Sequence, residues 1–221
     1  FADALPRLVD QGLRADCVLM DLGISSMQVD QTERGFSYSR QAPLDMRMDP
    51  SQERSAADLV AEMTERELTD VMRTYGEERY ARPIARAIVR RREADPIATT
   101  GDLVEVVRSA VPTPALFAGG HPAKRVFQAL RIAVNDELGS LEHGLDAAFA
   151  LLSPGGRLAV ISFHSLEDRM VKRFMRARSQ GCICPPEMPV CGCGRVAEGA
   201  LLAGKAQRPK QAELDRNQRA R

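Results

Sequence analysis

The chemistry that this sequence can support begins with a carboxylate at the end of an apolar run. Residues 16–21, Asp-Cys-Val-Leu-Met-Asp, predict a buried parallel strand that ends on Asp21. Ligands of open α/β sheets bind beyond the carboxyl ends of the strands, so Asp21 is a candidate to accept hydrogen bonds from a ribose hydroxyl, an amine or a base. The hydroxyls of Ser25 and Ser26, on the loop that follows, can position a polar substrate. The alternative role for Asp21 is to cap the next turn.

An aromatic residue and a histidine follow a second predicted strand, residues 157–163. Phe163 and His164 lie on the turn between this strand and the next predicted helix. An aromatic ring at a strand end can stack on a base, and an imidazole can donate or accept a proton near neutral pH. In the competing interpretation, Ser165 and Asp168 cap the helix and His164 is a structural residue.

Four of the five cysteines lie in two Cys-x-Cys pairs joined by a proline-rich stretch. Cys182 and Cys184 form the first pair, and Cys191 and Cys193 form the second. Four neighbouring thiolates suit tetrahedral zinc, although this spacing is tighter than the usual Cys-x-x-Cys. The alternative is that the four cysteines are free thiols. Disulfides are less favoured, because no secretory signal is seen. The identity of a bound metal is therefore left unknown. Cys17 lies inside the first predicted strand and is expected to be a small buried residue.

Basic residues are concentrated in two places. Residues 170–221 carry 11 Lys and Arg against 4 Asp and Glu, whereas the whole chain has 31 against 30. Such a segment indicates an anionic partner, most commonly nucleic acid, or a solvated tail. Arginines also follow a predicted helix that begins near Pro83, and they fit either phosphate contacts or a solvated helical face. They are Arg79, Arg82, Arg86, Arg90, Arg91 and Arg92.

Composition limits the class of protein. The 221 residues are 44% hydrophobic and 28% charged, which is typical of one or two globular domains. We expect no membrane span, because uninterrupted apolar runs stay far below the roughly 18 residues that a spanning helix needs. No basic-then-apolar leader is seen, so we expect a cytoplasmic protein rather than a secreted one. Because the sequence starts at Phe1 inside folded-looking sequence, we expect a part of a longer protein.

The order of elements indicates an α/β fold interrupted by helices. Helical periodicity replaces strand signals over residues 55–111, where Thr64 and Glu67 predict a capping box, and strand signals return after residue 120. We therefore predict an α/β class with three parts. They are a discontinuous core of residues 1–50 and 118–178, a helical insertion of residues 51–117, and a cysteine-containing, basic and largely disordered segment, residues 179–221.

A series of ordered motifs lies within residues 1–175. They are Asp21–Gln28, Arg34–Tyr38, Pro43–Asp49, Tyr75–Glu78, Arg125–Ile132 with Asn135, Glu137 and Leu138, and Ser162–Arg169. Together these segments resemble one family, the bacterial 16S ribosomal RNA cytosine-N4 methyltransferases of the RsmH or MraW type.

The resemblance implies an S-adenosylmethionine-dependent enzyme of rRNA processing. It implies methylation of the N4 exocyclic amine of one cytosine in the decoding region of 16S rRNA, within the small ribosomal subunit. The implied fold is a Rossmann-like methyltransferase core, incomplete at its N-terminus, with an all-helical inserted domain. The family's cofactor contacts fall here on Phe1, Asp21 and Gln28. Its glycine-rich motif precedes Phe1, so this stretch alone is expected to be inactive.

The roles of individual residues in the reaction are hypotheses at this point. Asp21 or the hydroxyl of Ser25 or Ser26 can accept hydrogen bonds from the amine, while Phe163 can stack the base and His164 is the remaining catalytic candidate. A non-catalytic RNA-binding or ribosome-assembly module, using the basic helical face, is the alternative function. A DNA amino-methyltransferase is disfavoured, because the sequence lacks a Pro-Pro-Tyr-type loop after the strand.

Overall fold

A computed structural model of the chain describes residues 2–117, 120–185 and 187–217. Within these ranges the chain forms a small parallel sheet and many helices, so it belongs to the mixed α/β class that the sequence predicts. The elements are α1 Ala4–Asp10, β1 Ala15–Asp21, α2 Ser26–Asp30, a 3-10 helix Thr32–Arg34, α3 Ala56–Glu62, α4 Glu65–Gly76, α5 Ala81–Ala94, α6 Thr100–Ala110, α7 Thr113–Leu116, α8 Lys124–Asn135, α9 Glu137–Leu151, β2 Leu152–Ile161, α10 Ser165–Ser179 and α11 Gln211–Arg216.

Two compact units share these elements. The first unit contains residues 1–23 and 141–221, and the second contains residues 24–140. None of the helices in the described ranges is long and apolar enough to cross a membrane.

The first unit is built on the parallel pairing of β1 and β2. The register aligns Asp21 with Ile161, and the backbone N–H of Leu22 donates to the Ile161 carbonyl at 3.1 Å, which continues the ladder past the end of β1. One face of the sheet packs on α9 and α10. The buried residues there are Met20, Leu22, Leu141, Leu145 and Ala148. The first predicted strand and its parallel pairing are thus confirmed, but its predicted burial is wrong, because only Met20 among its residues is buried. The second strand begins earlier than predicted, at Leu152.

The opposite face of this sheet is open to solvent. Side chains alternate between the two faces of a strand, so Cys17 and Leu19 share one face while Val18 and Met20 point to the helices. Leu19 is 64% exposed, and Cys17 is also exposed. The prediction of a buried Cys17 is therefore wrong, because only one face of the strand is covered by the described residues.

The second unit has a helical core. The side chain of Thr64 accepts from the N–H of Glu67 and the Glu67 carboxylate accepts from the N–H of Thr64, so the predicted capping box at the start of α4 is confirmed. The α4 helix packs against both α5 and α8. The largest buried side chains of this unit include Leu68, Met72, Ile84, Ile88, Leu103 and Leu130.

The helical unit extends beyond the predicted insertion of residues 51–117. Phe36, Leu44 and Met46 are buried in the same apolar core as the helices, so the preceding segment packs with them. This segment also contains α2, where the sequence predicts only loop. The division of the chain into a methyltransferase core and an insertion stays a prediction.

Beyond α10, the residues 180–185 and 187–194 form an irregular segment, here called the cysteine loop. The chain after the cysteine loop returns to the end of α10, where the N–H groups of Glu198 and Gly199 donate to the carbonyl of Arg178 at 2.9 and 3.1 Å. The Arg178 guanidinium pairs with Asp146 at 2.7 Å and with Glu198. Both ends of the cysteine loop are therefore attached to the first unit.

Candidate functional site

The carboxyl ends of β1 and β2 lie side by side and carry the first group of candidate residues. Asp21 ends β1 opposite Ile161, and the turn from β2 into α10 carries Phe163 and His164. The Asp21 residue is exposed, and its carboxylate has no hydrogen-bond or ion-pair partner in the described part of the chain. This edge of the sheet thus offers a carboxylate that a ligand can reach.

Gly23 brings the loop after β1 against the ring of Phe163. Its φ of 86° lies in the left-handed region, which favours glycine, and a Cβ added here would lie 3.3 Å from Cδ2 of Phe163. The Phe163 side chain nevertheless stays 41% exposed. The loop therefore supports one side of an aromatic ring that remains accessible to a planar ligand.

Glu167, which sequence reasoning did not select, holds the turn that carries Phe163. Its Oε2 accepts hydrogen bonds from the backbone N–H groups of Phe163 at 2.8 Å and His164 at 3.2 Å. Only 4% of Glu167 is exposed. Its position in the sequence could have identified it, because Glu167 lies three residues after His164. An acidic side chain at the third position of a helix accepts a hydrogen bond from the N–H of the capping residue.

His164 is the N-cap of α10. Its Nδ1 accepts from the N–H of Glu167 at 3.4 Å, and the two residues form a capping box. The predicted cap of Ser165 with Asp168 is therefore wrong by one residue. Ser165 is the first helical residue, while the Asp168 carboxylate pairs with Lys172 at 2.7 Å.

The imidazole of His164 is largely enclosed. Its Nε2 lies 3.2 Å from Oε1 of Glu167, but this approach falls outside hydrogen-bond geometry and Nε2 has no hydrogen-bond partner among the described residues. The contacts of His164 are structural, and its predicted catalytic role stays a prediction.

The pKa of Glu167 is held below its ordinary value. Burial opposes ionisation, but the close imidazole of His164 and the backbone N–H groups of Phe163 and His164 outweigh it. Since the folded state favours the ionised carboxylate, its stabilisation is complete above the ordinary pKa of 4.5 and is lost as the pH falls below it.

We predict that Glu167→Gln weakens the first unit at neutral pH and removes part of its acid sensitivity. An amide keeps one acceptor but loses the charge, so we expect a loss of about 1–2 kcal/mol in the free energy of unfolding. Urea unfolding followed as a function of pH measures both effects. The difference between wild type and variant should shrink as the pH falls below about 4.5.

Glu142→Gln is the matched control, because Glu142 is an exposed acid on α9 of the same unit. It should leave both the stability and its pH dependence unchanged. An equal stability difference between wild type and Glu167→Gln at pH 3 and pH 7 would contradict the stabilising role of the charge.

Ser25, Ser26 and Gln28 belong to the second unit. The Ser25 hydroxyl accepts from the N–H of Gln28 at 3.3 Å, and Oε1 of Gln28 accepts from the N–H of Ser25 at 2.8 Å, so both side chains cap α2. Ser26 is the first residue of α2 and is exposed. Phe1 lies outside the described residues. The structure thus brings Asp21, Phe163 and His164 together within one unit, and Ser25, Ser26 and Gln28 within the other.

A strained segment of the second unit depends on Asn135, whose role sequence reasoning missed. Met46 has a φ of 62°, in the left-handed region that a buried methionine rarely adopts. The Asn135 amide donates to the carbonyl of Met46 at 2.8 Å and its Oδ1 accepts from the N–H of Met48 at 2.6 Å. The guanidinium of Arg34 adds hydrogen bonds to the carbonyls of Arg47 and Met48. These polar contacts hold the backbone in its strained form.

The arginines of α5 are used within the second unit more than the sequence suggests. Arg82 and Arg86 approach the same carboxylate, Glu65, at 3.7 and 3.6 Å. Arg92 donates to two carbonyls at the end of α3, and Arg91 pairs with Asp95 at 2.8 Å. A continuous phosphate-binding face is therefore poorly supported, because most of these side chains already have protein partners.

A basic depression of about 370 Å³ follows α10 in the first unit. Arg173 and Arg176 project into it without an ion-pair partner in the part of the chain that the structure describes, whereas Lys172 pairs with Asp168. Its lining residues are Ser165, Asp168, Arg169, Lys172, Arg173 and Arg176. This surface of α10 can bind an anion, and α10 begins at the turn that carries Phe163.

Comparison with known proteins gives a consistent result. A model of the MraW methylase family matches residues 2–221. Proteins named ribosomal RNA small subunit methyltransferase H are similar to this chain. The protein from Heliobacterium modesticaldum is 52% identical over 94% of the chain and 66% of its own length, that from Symbiobacterium thermophilum is 55% identical over 94% and 65%, and that from Syntrophotalea carbinolica is 53% identical over 100% and 71%.

The chain thus spans about two thirds of the length of these relatives. The family model covers nearly all of the chain, and the matched range includes both the segment that ends β1 and the turn that begins α10. Because the family model and the relatives both match most of the chain, the chain belongs to the MraW methylase family.

Proposed function

We propose that the protein transfers a methyl group from S-adenosylmethionine to the N4 amine of a cytosine in the decoding region of 16S rRNA. The observation that carries the proposal is the shared edge of β1 and β2. There an exposed carboxylate, Asp21, and an accessible aromatic ring, Phe163, occur in one compact unit of an MraW family chain.

The proposed architecture is a Rossmann-like methyltransferase core with an all-helical insertion. Support comes from the parallel order of β1 and β2, because a parallel pair needs a crossover connection, which here includes the helices of the second unit. The separation into two compact units is consistent with an inserted domain.

The chemistry requires a hydrogen-bond acceptor for the amine. The lone pair of the cytosine N4 is delocalised into the ring, so the nitrogen is a weak nucleophile. A carboxylate that accepts a hydrogen bond from the amino group favours rehybridisation of nitrogen as the new N–C bond forms. In our proposal Asp21 has this role, because its carboxylate is exposed at the strand end. The proton leaves the nitrogen after methylation, towards Asp21 or water.

Positioning of the base is assigned to Phe163. A base must leave its stack before its amine can be reached, and an aromatic ring offers a replacement surface worth about 1–3 kcal/mol. Gly23 supports the other side of this ring, and Glu167 fixes the backbone that carries it. We assign His164 a structural role in the same turn. Ser25 and Ser26 lie in the second unit, and their predicted contact with the substrate stays a prediction.

The residues present fit part of an S-adenosylmethionine site. The cofactor supplies an electrophilic methyl group on a sulfonium centre. Asp21 provides a carboxylate that can accept a hydrogen bond from a cofactor hydroxyl or amine. Gly23 has no Cβ, so its backbone can lie close to the ring of Phe163. The Gln28 side-chain oxygen is used in its capping box within the second unit, and its predicted role as a cofactor contact stays a prediction.

We further propose that the basic depression of α10 contacts the RNA backbone of the small ribosomal subunit, in the cytoplasm where that subunit is assembled. Arg173 and Arg176 can contact phosphates without breaking an internal ion pair among the described residues. Guanidinium groups bind phosphates well because their donors match two oxygens at once.

We predict that the double substitution Arg173→Glu and Arg176→Glu weakens binding to unmethylated 30S subunits by at least about 10-fold at moderate salt. If both side chains contact phosphates, the slope of log affinity against log salt should also fall by about 1–2. Filter binding over a series of salt concentrations measures both quantities.

The double substitution Arg66→Glu and Arg73→Glu is the control, because it makes the same charge change on exposed positions of α4. It should reduce binding much less. Equal losses in the two double variants would attribute the effect to overall charge and reject the contact at α10.

The overall proposal is tested by incubating the full-length protein with a labelled methyl donor and unmethylated 30S subunits, followed by mass spectrometry of the rRNA. We expect one modified cytosine in the decoding region, with the label on N4. Binding to 30S subunits without methyl transfer, together with no heat of binding for S-adenosylmethionine in calorimetry, would favour a non-catalytic RNA-binding module instead.

A further inference from the structure

The cysteine loop brings all four of its sulfur atoms together. The four sulfurs all lie within 4.8 Å of one another. Cys191 and Cys193 are 3.5 Å apart, Cys193 and Cys182 are 3.9 Å apart, and Cys184 and Cys191 are 4.0 Å apart, in each case from Sγ to Sγ. The cluster lies in the first unit, and neither the proposed methyl transfer nor the RNA contact uses it.

These distances match those of a tetrahedral metal site. Zinc binds cysteine sulfur at about 2.3 Å, and two vertices of a tetrahedron with that radius are about 3.8 Å apart. The three separations given above bracket this value. Two disulfides would require two pairs at about 2.05 Å, with the other sulfurs further away. The three sulfur pairs above are instead 3.5–4.0 Å apart, and all four cysteines are free thiols.

The surrounding backbone suits a metal-bound loop. The N–H of Cys184 points to Sγ of Cys182 at 3.4 Å, a contact that stabilises a thiolate ligand. Residues 180–185 and 187–194 contain no helix or strand. An irregular segment of this length has few contacts to order it, and a structural metal can supply the missing free energy.

We propose that the cysteine loop binds one zinc ion as a structural tetrathiolate site, with Cys182, Cys184, Cys191 and Cys193 as its ligands. Each thiol gives up its proton as its sulfur binds the metal, and no electron transfer is involved. Zinc is the divalent ion that four thiolates in this geometry favour, and the closed set of four ligands leaves no position for a substrate. The site orders the loop next to the basic residues of α10.

The test measures metal content and coordination directly in the full chain. Protein purified in zinc-supplemented medium under reducing conditions should contain about one zinc per molecule by mass spectrometry of the metal. Anaerobic replacement by Co²⁺ should give the intense visible bands of tetrahedral cobalt together with a sulfur-to-cobalt charge-transfer band. Loss of a residue that only supports a metal ligand costs up to about 100-fold in metal affinity. Cys184→Ser removes a ligand itself, so it should weaken metal binding by more than that.

Cys17→Ser is the matched control, because Cys17 is the fifth cysteine and lies in β1. This variant should keep its zinc and its cobalt spectrum. If Cys184→Ser does not fold, the wild-type metal content and cobalt spectrum still decide the question. Metal-free wild type that takes up neither ion while all its thiols are reduced would overturn the proposal, and so would an octahedral cobalt spectrum.

Discussion

Replacing Asp21 by alanine in the full-length protein should lower the rate of methyl transfer to cytosine by about 100-fold or more. The substitution removes the carboxylate at the shared edge of β1 and β2, which is the proposed acceptor for the amine. Asp21 is exposed and has no protein partner among the described residues, so its loss should leave the free energy of unfolding nearly unchanged. Single-turnover assays with saturating cofactor and 30S subunits measure the methyl-transfer step itself.

Two further variants separate the possible roles of this carboxylate. Asp21→Asn keeps an acceptor oxygen without the charge and should retain more activity than alanine. Asp16→Ala is the matched control, since Asp16 is an exposed carboxylate at the other end of the same strand, and it should remain fully active. If Asp21 acts through the cofactor, calorimetry will show a weaker affinity for S-adenosylmethionine. Near-normal turnover of Asp21→Ala would remove this residue from the mechanism.

Asn135→Ala should destabilise the second unit by about 3 kcal/mol. The substitution leaves the N–H of Met48 and the carbonyl of Met46 without their amide partner, at a backbone position already strained by a φ of 62°. We expect a lower midpoint of urea unfolding and faster amide hydrogen exchange at Met48.

Gln128→Ala is a suitable comparison, because Gln128 lies on the same helix and donates one hydrogen bond, to the carbonyl of Tyr75 at 2.9 Å. It should cost only about 1 kcal/mol. If the two variants unfold at the same urea concentration, Asn135 does not hold the strained segment. Protection of the Met48 amide in Asn135→Ala would lead to the same conclusion.

Local signals in the sequence predicted the elements that position the site. The apolar run that closes on Asp21 identified β1, and Thr64 with Glu67 located the start of α4, because both patterns depend on neighbours in the sequence. The start of α10 was misplaced by one residue, since Ser165 and Asp168 imitate the usual capping pattern while His164 is an uncommon cap.

Long-range contacts could not be predicted in this way. The hydrogen bond from Met48 to Asn135 joins residues that are 87 positions apart, and no local pattern marks it. The exposure of Cys17 depends on which face of the sheet the helices cover, and that is decided by tertiary packing.

The attachment of the chain to Arg178 has a consequence for proteolysis. The N–H groups of Glu198 and Gly199 donate hydrogen bonds to the Arg178 carbonyl. The Arg178 guanidinium also lies over the rings of Phe149 and Phe174. A cut within the cysteine loop therefore leaves both new ends attached to the first unit. Limited digestion after chelation should therefore nick the chain between α10 and Glu198. The two fragments should still co-migrate under native conditions, and they should separate only in denaturant.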